Sequence, residues 1–267
     1  MADGKERPSN PEGQVILHVD GAIARITFDR PHARNAMTWA MYDGLAAACD
    51  AIAADSSIRV VLMRGAGGKA FVAGTDIAQF GAFETGEDGI AYEDKVEVYV
   101  DKVEKLPQPT VAVVEGWAVG GGLAIANACD FRIATPGSKF AVPIARTLGN
   151  CLSAGNLKAL TETFGLPLVK RMLLLAEMLP AEELLAHGYL LAVVQPDVLD
   201  DYVDALCEKV QGHAPVTMKV TKQALRRLRD DPNAADEDLI RECYGSDDFH
   251  HGVESFVNKQ TPQWKGR

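Results

Sequence analysis

Cysteine is scarce: five residues in 267, at positions 49, 129, 151, 207 and 243, odd in number and never in a Cys-x-x-Cys pair. That scatter argues against a disulfide framework or a zinc site and fits a reducing compartment. No run of 18 apolar residues exists to span a membrane. The polar start, MADGKERPSNPEGQ, lacks the apolar core of a secretory signal. The chain therefore reads as cytoplasmic, with no membrane partner. Positive charge is also short, 27 Lys and Arg against 37 Asp and Glu, a net charge of -10. Such a surface repels nucleic acid. The one basic stretch, Lys219–Arg229, suits a solvated helix face. The six histidines suggest no triad, and nothing in the sequence requires a metal, nicotinamide or flavin.

What is present is ordinary globular material, 47% hydrophobic and 24% charged, enough for one large domain or a core with an appendage. Residues 1–12 read as a flexible tail. Two strands, Gln14–Val19 and Ala22–Phe28, join through Asp20-Gly21, a hairpin signal. A helix is expected over Thr38–Ala53, with Thr38 as N-cap and Met41, Leu45, Cys49 and Ile52 as its apolar stripe. Arg59–Arg64, Thr110–Glu115 and Phe131–Ala134 read as strands, and Ile90–Leu106 and Leu123–Ala128 as helices. This alternation predicts an α/β fold over residues 14–142. From about residue 155 the pattern turns to consecutive helices, the first two over Gly155–Phe164 and Pro167–Ala176, with Leu190–Val194 as one last strand. The expected division is a core over 13–200 and a C-terminal helical subdomain over 201–267, which has apolar surface to spare for another subunit.

Two glycine-bearing loops hold the chemistry. Lys69–Asp76, KAFVAGTD, follows a strand, and Trp117–Cys129, WAVGGGLAIANAC, sets three glycines before a helix. Consecutive glycines let a ligand approach the main chain closely. The unpaired N–H groups of the helix start then favour an anion, or an oxygen that becomes one during reaction. Taken alone, the GGG run is explained as well by a tight helix–strand junction, and neither loop matches a Rossmann or P-loop pattern.

Together the loops resemble the crotonase (enoyl-CoA hydratase/isomerase) family, and the resemblance runs nearly end to end. It is carried by ARITFDRPHARNAM (24–37), RVVLMRGAGGKAFVAGTDIAQF (59–80), LPQPTVAVVEGWAVGGGLAIANACDFRIAT (106–135), FAVP (140–143), LPAEELLAHGYL (179–190) and FVNKQTPQWKGR (256–267). The resemblance implies a crotonase-like spiral of ββα units with a C-terminal helical oligomerisation subdomain, assembled as a homotrimer or homohexamer. It implies an acyl-CoA thioester substrate, with coenzyme A entering as part of that substrate and no separate cofactor. The N–H groups of Thr75 and Gly121 are then expected to form an oxyanion hole that stabilises a thioester enolate. Arg34, Lys69, Ala70, Phe71, Ala73 and Asp76 are the expected coenzyme A-binding positions, Asp76 chiefly as a buttress of its loop. Asp130 is expected to be structural, and Lys259 and Lys265 to lie near a neighbour's coenzyme.

The sequence also leaves the family pattern. Hydratases of the family place one glutamate two positions after the GGG run and another after the proline of F-x-x-P. Those places hold Ala124 and Ile144 here, which can neither give nor take a proton. Orthodox two-glutamate hydration is therefore not expected, and decarboxylation, thioester hydrolysis or binding without turnover stand as alternatives. The polar segment Ile144–Asn156 offers Arg146, Thr147, Asn150 and Cys151, with Ser153 and Asn156, beside the expected acyl pocket. Arg146 is placed to pair with a substrate carboxylate or with Glu84, Glu87 or Glu93. Cys151 reads as a small buried residue.

Overall fold

The computed structural model describes residues 11–267. Most of the expected 1–12 tail lies outside those residues. The last two, Pro11 and Glu12, are tied to the body, accepting from Arg30 Nε (2.9 Å) and Thr38 Oγ1 (2.8 Å) through their carbonyls.

Strands β1 (Gln14–Asp20) and β2 (Ile23–Asp29) form the hairpin, turning at Gly21 with φ of 56°. Alternation in β2 buries Ala24, Ile26 and Phe28, as a strand with one face on the core should. Helix α1 (Trp39–Ala54) is capped by Thr38, whose hydroxyl accepts from the Met41 N–H at 3.2 Å. Its buried stripe is Met41, Tyr42, Leu45, Ala48, Cys49 and Ile52. Then follow β3 (Val60–Gly65), β4 (Ala70–Val72) and α2 (Gly86–Glu104), and after them β5 (Thr110–Val114), β6 (Trp117–Val119) and α3 (Gly121–Ala128). Next come β7 (Phe131–Ala134), β8 (Lys139–Ala141), the short α4 (Ile144–Thr147) and α5 (Ala154–Leu174). Each repeat thus places one strand in each of two sheets before its helix. The six-stranded sheet runs β1-β2-β3-β5-β7-β10, with β10 (Ala192–Val193) at its edge, parallel throughout except for the hairpin. The four-stranded sheet runs β4-β6-β8-β9, with β9 (Leu179–Pro180) the only antiparallel member.

Two differences from the sequence reading stand out. Helix α2 begins at Gly86, four residues before Ile90, because Asp88 reaches back to the Thr85 N–H (2.8 Å) and opens the helix ahead of its first apolar residue. Residues 70–72 and 117–119 are strands rather than loop. The two helices expected on either side of residue 165 are both present, as the two runs of α5, which breaks at Gly165 (φ 69°) just before Pro167.

After α6 (Ala181–Ala186), helix α7 (Leu199–Gln211) buries Val203, Cys207 and Val210 against Val60, Leu62, Val111, Val113 and Ile133 of the large sheet. A division at residue 200 falls inside this helix. Beyond it come α8 (Pro215–Asp230), α9 (Glu237–Tyr244) and α10 (Asp247–Val257), of which α8 and α9 share a small cluster around Val216, Val220 and Leu239. Helix α8 lies back on the core, where Lys222 pairs with Asp130 at 2.5 Å.

Candidate active site

The two glycine loops meet because β4 and β6 are neighbours in the small sheet. Helix α3 starts directly above β4, and a methyl group on Gly122 would stand 2.0 Å from the Val72 carbonyl oxygen. Only glycine permits that approach. Gly120, the N-cap of α3, has φ of 54° and donates to the Ala141 carbonyl at 2.9 Å. This junction brings Gly121 beside Thr75: a methyl on Gly121 would lie 3.9 Å from the Thr75 nitrogen. Neither N–H donates to a backbone acceptor among the described residues, as expected at a helix start.

The loop bearing Thr75 is braced from below. Asn35 is fully buried; its Oδ1 accepts from the Arg30 N–H (2.9 Å) and its Nδ2 donates to the Ala66 and Ala70 carbonyls (3.0 and 2.9 Å). Asp76 accepts from the Ala78 N–H (3.1 Å) and pairs with Arg30 at 2.7 Å. That N–H, followed by Arg30, holds its carboxyl below the usual aspartate range against the cost of burial.

Both loops open onto one cavity of about 480 Å³. Thr75, Gly121, Ala73, Ala124, Ile144, Thr147 and Asn150 line it. Arg146 and Cys151 do not: Arg146 is exposed on α4 and Cys151 on the segment between α4 and α5. The expectation of a buried Cys151 is therefore corrected. Arg146 makes no ion pair with Glu84, Glu87 or Glu93; Glu93 accepts instead from the Ser153 N–H at 2.9 Å. Among the coenzyme A positions, Ala70 and Phe71 are also corrected. As residues of β4 their side chains are sealed in the core, Phe71 edge-on to Phe28 at 5.2 Å, and they cannot touch a ligand. Lys69 is exposed. Arg34 is exposed as well, with its guanidinium 4.4 Å from the Trp117 ring centre and its carbonyl accepting from the Ala73 N–H (3.1 Å). Asp130 bonds to the Thr110 N–H (2.7 Å) as well as to Lys222. Lys259 and Lys265 are exposed on a terminal segment held to Asp248 through the Lys265 N–H (2.6 Å).

Sequence reasoning gave Tyr42 and Tyr92 no role at this site and named Glu93 only as a partner for Arg146. The Thr75 hydroxyl lies 2.9 Å from that of Tyr42 and 2.7 Å from that of Tyr92, forming a chain of three hydroxyls at the loop. Burial, more than any neighbour, raises both tyrosines above their ordinary pKa. Glu93 follows Tyr92 on α2 and lines the cavity half-buried. Burial raises its pKa too, with help from the Glu97 charge and against the pull of the Ser153 N–H and Asn156. Tyr42 reads in sequence as one more apolar-stripe residue and Glu93 as one more acid on a charged helix, so no local signal marks either.

Comparison with known proteins gives the family. The family model for enoyl-CoA hydratase/isomerase matches residues 18–267. The chain belongs to this family. A short-chain-enoyl-CoA hydratase of Clostridium acetobutylicum is 31% identical over 250 residues, covering 92% of this chain and 95% of that protein. An (E)-benzylidenesuccinyl-CoA hydratase of Thauera aromatica is 30% identical over 256 residues, 94% of this chain and 99% of that protein. Among solved structures, an enoyl-CoA hydratase/carnithine racemase from Magnetospirillum magneticum superposes with a TM-score of 0.88 at 33% identity, covering 97% of this chain and 99% of that one. This member of the enoyl-CoA hydratase/isomerase family therefore has the crotonase fold and is an acyl-CoA enzyme. No helix among its described residues is long and apolar enough to cross a membrane.

Proposed function

We propose that the chain binds a 2-enoyl-CoA thioester with its carbonyl oxygen between the Thr75 and Gly121 N–H groups and stabilises the enolate formed there. The observation that supports this reading is that Thr75 and Gly121 lie side by side on one cavity wall, with neither N–H donating to a backbone acceptor among the described residues. Such preorganised donors act on charge that develops only during reaction, and losing one costs about 10²–10³ in rate. The names of the relatives, hydratases of several acyl-CoA thioesters, point the same way. With the oxyanion held, the β-carbon accepts water, or a proton leaves the α- or γ-carbon. Arg34, exposed and tied through its carbonyl to Ala73 on the cavity wall, offers a cation to the coenzyme's phosphates. Ala124 and Ile144 make an apolar wall where the family's hydratases carry glutamates, which favours, as a second reading, binding without turnover.

Calorimetry with crotonyl-CoA, paired with mass spectrometry of crotonyl-CoA and 2,3-dehydroadipyl-CoA after incubation, tests both. Binding with gain of one water supports hydration, and binding with no product supports the second reading. Failure to bind any thioester sinks both. For assembly we propose a homotrimer or homohexamer, supported by apolar residues left exposed on α8 to α10, among them Leu225, Leu228, Tyr244, Phe256 and Val257. Light scattering that gives a monomer mass at micromolar concentration rules this out.

A further inference from the structure

An enolate chemistry needs a group that moves protons, and neither Ala124 nor Ile144 can. The cavity wall holds four carboxylates: Glu93, Glu104, Asp130 and Glu162. Three of them are engaged by cations. Glu104 pairs with Arg229, Glu162 lies 3.8 Å from the same guanidinium, and Asp130 is 2.5 Å from Lys222. Glu93 has no cationic partner among the described residues. It is held instead by neutral donors from the start of α5, the Ser153 N–H at 2.9 Å and the Asn156 side chain. Neutral donors orient a carboxylate without neutralising its charge, and lower its basicity less than a cation in contact with it does. Its position is also right for the site. The Glu93 charge is felt by the hydroxyls of Tyr42 and Tyr92, the two groups bonded to Thr75 Oγ1.

We propose that Glu93 is the acid–base group of this active site, a single carboxylate on α2 doing the work that the family's hydratases divide between two glutamates on α3 and after F-x-x-P. The inference rests on the reading of Thr75 and Gly121 as the thioester site. In hydration, the Glu93 carboxylate takes a proton from water as the water oxygen bonds to the β-carbon. The Cα=Cβ electron pair moves to form the enolate, whose oxygen the two N–H groups hold. The Glu93 carboxylic acid then returns its proton to the α-carbon, so one water is gained and the carboxylate is restored. The reverse of the second step is removal of an α-proton from a saturated thioester, which isolates proton transfer from the rest of the reaction. The ionisable groups facing Glu93 are Tyr42 from α1 and Tyr92 and Glu97 on α2, while α5 presents Ser153 and Asn156, which do not titrate. Burial first, with help from the Glu97 charge and against the pull of Ser153 and Asn156, leaves the Glu93 carboxylate a stronger base than a solvent-exposed glutamate.

The experiment follows exchange of the α-protons of butyryl-CoA in D2O by mass spectrometry, with binding measured separately by calorimetry. Wild-type protein is expected to exchange them. Glu93→Gln should retain fold by circular dichroism and bind butyryl-CoA within about threefold of wild type, yet exchange at least ~100-fold more slowly. Glu93→Asp, which keeps the charge and shortens the reach by one methylene, should fall between the two. The wild-type rate should rise with pH through one ionisation that the Gln variant lacks. Exchange by Glu93→Gln within about threefold of wild type overturns the proposal, as does wild-type protein that binds butyryl-CoA and exchanges nothing. If wild-type protein does not bind butyryl-CoA at all, the thioester-site reading itself has failed and the role of Glu93 falls with it.

Discussion

The Tyr42 hydroxyl stands 2.9 Å from Oγ1 of Thr75, linking the buried face of α1 to the loop that carries the Thr75 N–H. Tyr42 itself has no exposed surface, so its ring is fixed by packing and its hydroxyl acts as a rigid strut. Tyr42→Phe keeps the packing and removes the strut, leaving Tyr92 as the remaining partner of Thr75 Oγ1. One net hydrogen bond is worth about 0.5–1.5 kcal/mol, so stability should change by no more than that, in either direction. Turnover of crotonyl-CoA should fall by roughly 3–10-fold as the loop loosens. Thermal melts and steady-state rates check both parts; an unchanged kcat would mean that the hydroxyl chain does not position the loop.

Gly122→Ala should be far more damaging. The added methyl would meet the Val72 carbonyl oxygen at 2.0 Å, and both contacting atoms belong to backbone that cannot rotate away. Overpacking of this kind costs about 1–3 kcal/mol or more, a fall in Tm of roughly 5–10 °C for a chain of this size. The shift between α3 and β4 should also separate Gly121 from Thr75 and weaken butyryl-CoA binding. A variant with wild-type Tm and affinity would show that the junction is softer than its geometry suggests.

Asn35→Asp tests the brace beneath the loop. The substitution replaces an amide nitrogen, which donates to two carbonyls at 3.0 and 2.9 Å, with an oxygen that can donate only when protonated. A buried charge facing two carbonyl oxygens costs about 3 kcal/mol or more. The introduced acid will have a folded pKa above its unfolded one. Its penalty is therefore full at neutral pH and shrinks as pH falls through that raised value. Urea melts at neutral and mildly acidic pH should show the variant recovering part of its loss in acid, and a deficit independent of pH would contradict this account.

Glu93 carries the same sign of linkage in the native chain. Its folded pKa is raised, chiefly by burial, so its contribution to stability is most favourable below the ordinary glutamate pKa and worsens as pH rises through the folded value. Glu93→Gln should therefore melt higher than wild type at neutral pH, by on the order of 1–3 °C. The gap should close below about pH 4. Scanning calorimetry across pH reads this directly. A Gln variant that melts lower at neutral pH would mean that the ionised carboxylate stabilises the fold.

Much of the architecture was open to local reading. The Asp20-Gly21 turn, the Thr38 cap, the apolar stripe of α1 and the break before Pro167 each depend on residues within a few positions of one another. The same is true of the two glycine loops and of the missing acids at 124 and 144, which a resemblance carried by contiguous motifs exposes at once. The strands of the small sheet were not legible. β4, β6 and β8 have three residues each, too few to display a period of two. Missing β4 led directly to Ala70 and Phe71 being placed on a ligand-facing loop, when their side chains face the core.

The sequence by itself determined the family, the alternation of strand and helix, and where backbone N–H groups would be left unpaired, because propensity, capping and glycine conformation act over a handful of neighbouring residues. Only the tertiary structure decided which polar side chains share the cavity. Tyr42, Thr75, Tyr92 and Glu93 come from two helices and a loop spread over some fifty residues of chain. Whether an acid on a charged helix is solvated or half-buried, and whether a cation reaches it, depends on what packs against that helix. Here Ser153 and Asn156, sixty residues further on, occupy that place, and they carry no charge.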